Sequence, residues 1–118
     1  MLRVLVVEDE PLVAMELAAV VEDAGHVVIG PASTCAQALQ LVASHAPHIA
    51  LLDGNLNGER IDEVADILSA QGMPFAFVSG YGKEHLPAAH GHRPMAAKPF
   101  LPFEIENLLR VLVSESRG

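Results

Sequence analysis

The sequence contains one cysteine, so no disulfide can close within the chain. Cys35 is expected to be a small helix residue with no chemistry of its own. Basic residues are scarce too, with 7 Lys and Arg against 15 acids and a formal net charge of −8. Phosphate backbones would repel such a surface, which argues against direct nucleic-acid binding and suits partners that are proteins or cations. Long apolar runs are also missing: nothing approaches the roughly 20 residues that span a bilayer. Residues 1–7 meet acids too soon to serve as a signal peptide. These absences lead us to expect a cytoplasmic protein with no membrane partner. The 118 residues, 51% hydrophobic and 19% charged, suffice for one core, and a single domain is expected over residues 1–118.

The chain is organised around Ile49-Ala50-Leu51-Leu52-Asp53-Gly54-Asn55-Leu56-Asn57-Gly58. A short apolar run bounded by turn residues reads as a strand buried on both faces of a parallel sheet. Asp53 then falls at the carboxyl end of a central strand, where open α/β sheets bind their ligands. Read alone, Asp53 before Gly54 is equally a turn residue.

The other elements follow in order. Residues 3–7 form a first strand that runs into Glu8-Asp9-Glu10, and Pro11 opens a helix. Its expected apolar side is Leu12, Val13, Leu17, Val20, Val21 and Ala24, with Gly25 as the stop. Residues 26–30 form a second strand, and Ser33 or Thr34 caps a helix to about His45. The third strand ends at Asp53, and a third helix spans about 60–70. Residues 75–78 make a fourth strand. Between 80 and 93, three Gly, one Pro and three His leave room for at most one short helix, and this stretch is expected to be mobile. His90-Gly91-His92 lacks the company of further ligands, and we read it as loop rather than as a metal site. Residues 95–97 form the fifth strand. Pro102 opens the last helix, with Ile105, Leu108, Leu109 and Leu112 as its buried stripe and residues 114–118 as a frayed tail.

Strands alternating five times with helical patterns argue an α/β fold, a doubly wound parallel sheet with helices on both faces. Right-handed crossovers gather Glu8, Asp9, Asp53, Ser79 and Lys98 at one sheet edge. Three clustered carboxylates repel one another, and a hard divalent cation such as Mg²⁺ relieves the repulsion. With the Lys98 ammonium and the Ser79 hydroxyl, they would form a cradle for a phosphoryl group. Asp53, central among them, is the candidate nucleophile.

In Val6-Val7-Glu8-Asp9-Glu10-Pro11, Leu51-Leu52-Asp53, Ser79-Gly80 and Lys98-Pro99-Phe100, the chain resembles the response regulator receiver domains of two-component signalling. The match covers essentially the whole chain. It implies a flavodoxin-like (βα)5 sheet of order 2-1-3-4-5, and phosphorylation of Asp53 by a sensor histidine kinase. It further implies Mg²⁺ held by Asp9, Asp53 and the Asn55 carbonyl, with Glu8 acting through water, and contacts from Ser79 and Lys98 to the phosphoryl group. Two positions depart from the common pattern: Met95 stands where an aromatic switch residue is frequent, and Asn57 where proline is typical. The stretches 53–59 and 74–81 instead resemble the subgroup named for its F-A-T-G-U-Y motif, many of whose members are free-standing single domains. Tyr81 is our substitute switch candidate.

The resulting expectation is a stand-alone receiver, with no output domain, whose output is contact with a downstream protein and which is a monomer or weak dimer. It would promote only its own phosphorylation and dephosphorylation and would not be an enzyme for outside substrates. A phosphate sink draining a kinase is an equally readable alternative. A Mg²⁺-dependent aspartyl-phosphate phosphatase would want an acid at Asn55, and a flavin module would want hydroxyls and glycines in place of Glu8-Asp9-Glu10.

Overall fold

The structure is a computed structural model that describes residues 1–56, 58–80 and 86–117. Its elements are β1 (Arg3–Val7), α1 (Pro11–Asp23), β2 (Val27–Ala32), α2 (Cys35–His45), β3 (Ile49–Asp53), β4 (Asn55–Leu56), β5 (Glu59–Arg60), α3 (Asp62–Ala70), β6 (Phe75–Ser79), a 3-10 turn (Ala88–His90), β7 (Met95–Ala97) and α4 (Pro102–Arg117). Five parallel strands lie in the order β2-β1-β3-β6-β7. With the two short hairpin strands β4 and β5 set aside, this is the expected order 2-1-3-4-5.

Alternation along each central strand sends successive side chains to opposite faces. Leu5, Val7, Ala50, Leu52, Phe75 and Phe77 join the core beneath α2 and α3, with Ala38, Val42, Val64 and Leu68. Val4, Val6, Ile49, Leu51, Ala76 and Val78 join the core beneath α1 and α4, with Leu17, Val21, Ile105 and Leu109. Both faces are dry, so β1, β3 and β6 read as unbroken apolar runs. Each polar residue that follows such a run is therefore delivered to the same sheet edge.

Several local expectations are corrected. The second strand runs to Ala32 through Gly30 and Pro31, with a register shift opposite Leu5 and Val7. Pro31 is tolerated because β2 is an edge strand, where one missing donor costs little. Gly30 has φ +105°, and a Cβ there would stand 2.7 Å from the Ala32 nitrogen and 3.0 Å from the Val6 carbonyl oxygen. Only glycine fits that bulge. Leu12, at the start of α1, is 74% exposed, and Ala14 takes the buried place. The third helix begins at Asp62, because Asn55–Leu56 and Glu59–Arg60 pair as an antiparallel hairpin. The last helix continues to Arg117, since nothing between Ser114 and Arg117 breaks it. Thr34, not Ser33, caps α2 by accepting from the Gln37 N–H.

The opposite end of the sheet is held by imidazoles. The Leu2 N–H donates to His26 Nδ1 and the Arg3 N–H to His48 Nδ1, at 3.1 and 2.9 Å. Partial burial, and secondarily the N-terminal ammonium, lower the pKa of His26 below its ordinary 6.5. The unfolded chain therefore binds the proton first as pH falls. The contribution of this site is present above pH 6.5 and is lost as pH drops through the folded-state value. Denaturant midpoints measured between about pH 7 and about pH 5 should fall less for His26→Gln, which keeps an acceptor oxygen, than for the wild type.

Candidate functional site

The site is built at the carboxyl ends of β1, β3, β6 and β7. Glu8 follows β1, Asp53 ends β3, Ser79 ends β6 and Lys98 follows β7. Glu8, Asp53 and Ser79 are buried, at 2%, 5% and 1% exposure. Asp9, Asp53, Asn55, Gly80 and Lys98 line a cleft of about 400 Å³. The Lys98 N–H donates to the Ser79 carbonyl at 2.9 Å, which ties the end of β6 to the lysine backbone. The Lys98–Pro99 peptide is cis.

Lys98 sits at the electrostatic centre. Its Nζ lies 2.8 Å from Glu8 Oε1, 3.3 Å from Glu10 Oε1 and 3.4 Å from Asp53 Oδ2. One ammonium thus faces three carboxylates, and Asp9 stands beside them. Burial works against its charge, but the close ion pair with Glu8 and the charge of Asp53 outweigh it, so its pKa is raised. Burial likewise raises the Asp53 carboxyl, against the pull of the Asn55 N–H and of Lys98. The Glu8 carboxyl is pushed up to about 7, chiefly by burial and further by the Asp53 charge, although Lys98 and the Glu10 N–H oppose it.

This donor set fits a hard cation. Glu8, Asp9 and Asp53 each offer an oxygen, and these oxygens lie within 4.8 Å of one another. Glu8 Oε1 is fully buried and, despite the nearness of Lys98, lacks a well-directed hydrogen bond. Oxygen ligands, excess negative charge and an open side toward the cleft are what Mg²⁺ requires. Asn55, exposed on β4, lines the same cleft.

The Glu8 carboxyl also supplies a test. Between its ordinary 4.5 and about 7, the folded protein holds a proton that the unfolded chain has released. Stability from this group is present at low pH and lost as pH rises through about 7. Mg²⁺ needs the carboxylate rather than the acid, so added Mg²⁺ should raise Tm by several degrees near about pH 8 and by much less near about pH 5.5. Asp9→Asn should remove most of that rise.

All five residues expected at one edge are therefore placed there. The switch candidate Tyr81, like Asn57, lies outside the described residues. Met95 is half-buried and packs against the α2/α3 side of the core. Three residues with a place around the site were missed. Glu10 was visible only as a helix-start acid, yet it reaches Lys98. Leu86 packs against Gly54, where a Cβ would lie 2.7 Å from Leu86 Cδ2 and 3.1 Å from Ser79 Oγ. His90, read as loop, is 4% exposed and bonds Asp66. The described part of the stretch 80–93 is anchored by these two side chains instead of hanging free. No sequence period announced either, because both contacts cross between distant elements.

A doubly wound sheet with a carboxylate cleft over its first and third strands, faced by a lysine from its last, puts the candidate site where open α/β sheets bind their ligands. The chain belongs to the response regulator receiver domain family, which matches residues 4–110. Among its relatives is the phyllosphere-induced regulator PhyR of Methylorubrum extorquens, 36% identical over 114 residues, or 91% of this chain and 42% of that protein. The transcriptional regulatory protein PdtaR of Mycobacterium tuberculosis is 28% identical over 110 residues, 91% of this chain and 53% of that protein. The chain spans about half the length of the curated relatives it matches. Among solved structures, SdrG from Sphingomonas melonis Fr1 superposes with a TM-score of 0.85 at 34% identity, over 96% of this chain and 97% of that one. PhyR from Brucella abortus superposes with a TM-score of 0.83 at 34% identity, over 98% and 49%. Among the described residues, no helix is long and apolar enough to cross a membrane.

Proposed function

We propose that this receiver accepts a phosphoryl group on Asp53 from the phosphohistidine of a sensor histidine kinase, with Mg²⁺ at Glu8, Asp9, Asp53 and Asn55. The observation that carries the reading is the contact of Lys98 Nζ with both Glu8 and Asp53 beside the Asp9 carboxylate. An Asp53 carboxylate oxygen would form the bond to phosphorus as the phosphorus–nitrogen bond breaks and the imidazole leaves with its electron pair. Bound Mg²⁺ would supply positive charge to the phosphoryl oxygens. Lys98 would shift from its carboxylate partners toward a phosphoryl oxygen, and the Ser79 hydroxyl would donate to another.

The product adds about −1.5 to −2 charge at the sheet edge. Such a change biases an existing equilibrium of the neighbouring segments, and contact with a downstream protein reads the result. A stand-alone receiver fits the near full-length match to SdrG. An output through protein contact fits the likeness to PhyR of Bartonella quintana, an anti-anti-sigma factor to which this chain is 32% identical. Turnover of outside phosphoesters is not part of the reading, since Asn55 cannot serve as the acid such a step needs.

The test is backbone NMR with and without beryllofluoride and Mg²⁺. Shifts at Asp53, Ser79 and Lys98 that spread into residues 80–93 would support a working receiver. Shifts confined to the metal-binding residues would favour a phosphate sink, and no shift at all would remove phosphorylation from the account.

A further inference from the structure

His90 is a buried titratable residue that the phosphoryl chemistry does not use. Its Nε2 lies 2.8 Å from Asp66 Oδ1 on α3, and its ring packs edge-on against Phe75 of β6, with centroids 5.4 Å apart. Nδ1 is buried and has no partner among the described residues. A carboxylate can only accept, so Nε2 carries a proton and donates it to Asp66. A second strap lies beside the first: the Arg93 guanidinium stacks 4.3 Å from the Phe75 ring centroid and donates to Ser69 Oγ of α3. Between them, the His90 N–H bonds the Pro87 carbonyl and the Arg93 N–H bonds the His90 carbonyl. Residues 87–93 are thus folded tightly and strapped to α3.

Four residues before His90, Leu86 is buried in the core at the other end of this segment. Leu86, Gly54 and Ser79 fill one space next to Asp53, so tightly that a methyl on Gly54 would overlap Leu86. A movement of Ser79 toward a group on Asp53 would have to displace Leu86 or carry it along. Pro87, with its fixed φ, and the 3-10 turn Ala88–His90 are the only chain between Leu86 and His90, so such a displacement would reach His90 through them.

We propose that His90 is a positioning residue: through Asp66 it clasps residues 86–93 to α3, holds Leu86 against Gly54 and Ser79, and thereby restrains the site in its unphosphorylated arrangement. The coupling rests on phosphorylation of Asp53, whereas the clasp itself does not. Loosening the clasp should raise the population of the rearranged state and with it the apparent affinity for a phosphoryl mimic.

The experiment titrates beryllofluoride at fixed Mg²⁺ into the wild type, Asp66→Ala, Asp66→Asn and His90→Phe, with the His90 ring nitrogens and the backbone amides followed by NMR. The Asp66 side chain is 66% exposed, so its replacement leaves the core intact. Asp66→Ala should bind about fivefold more tightly than wild type, the effect on an equilibrium of one typical net hydrogen bond. His90→Phe keeps the ring against Phe75 but cannot donate, and it should follow Asp66→Ala. Asp66→Asn retains an acceptor oxygen and should stay within about twofold of wild type. The His90 and Arg93 amides should exchange faster in Asp66→Ala without any ligand. Unchanged or weaker binding by Asp66→Ala overturns the proposal, as does a ring-nitrogen pattern with no proton on Nε2. A wild type that fails to bind beryllofluoride overturns the phosphorylation reading and the coupling together, while the exchange rates still report separately on the clasp.

Discussion

Asp53→Asn is expected to abolish phosphorylation by a kinase or by a small phosphodonor, with no loss of fold. The amide oxygen is a far weaker nucleophile than a carboxylate and carries no charge to hold a cation. The fold should survive because Asp53 contributes no apolar packing. Its carboxylate is instead a burden, since burial raises its pKa and its charge raises that of Glu8. Removing it leaves Lys98 bonded to Glu8 at 2.8 Å and to Glu10 at 3.3 Å. Stability should therefore hold or rise slightly, and the Glu8 carboxyl should fall toward its ordinary value. Phosphate incorporation, circular dichroism and Tm measured together check this. Normal labelling of Asp53→Asn would overturn the assignment of the acceptor.

Lys98→Met should have the second largest effect, and it should cost both reactivity and stability. Glu8 has no exposed side-chain surface, and Lys98 is only 14% exposed. Breaking a buried pair by removing one partner typically costs about 3–5 kcal/mol, because the remaining charge is left unpaired. Glu8 has an escape, since its carboxyl already sits near about 7 and would rise further without Lys98. Protonation limits the loss to about 3 kcal/mol at neutral pH, and less in acid, where Glu8 is neutral in any case. The deficit against wild type should therefore widen as pH rises from about 5 to about 8. Denaturant curves at both ends would show it, and a pH-independent difference would mean that Glu8 is not the charge left behind. Phosphoryl transfer should fall sharply at every pH, because no other cation on the chain is seen to reach Asp53 among the described residues.

Much of this protein was legible in its sequence, and for a physical reason. Strands covered on both faces must be apolar throughout, so β1, β3 and β6 announce themselves as short runs, and whatever polar residue ends a run must emerge at the sheet edge. Right-handed crossovers then allow one arrangement in which Glu8, Asp9, Asp53, Ser79 and Lys98 meet. Local rules also located Pro11 and Pro102 at helix starts and narrowed the cap of α2 to Ser33 or Thr34. The tertiary structure decided what no local rule reaches. Pro31 continues a strand because β2 happens to lie at the edge. Lys98 divides its charge among Glu8, Glu10 and Asp53 at distances set by the packing of three strands. His90, in a stretch of glycines and histidines that reads as loop, is buried because Asp66 and Phe75, far away in sequence, converge on it. Periodicity records how one element meets a generic core, whereas pairings between particular polar side chains exist only once the elements are packed.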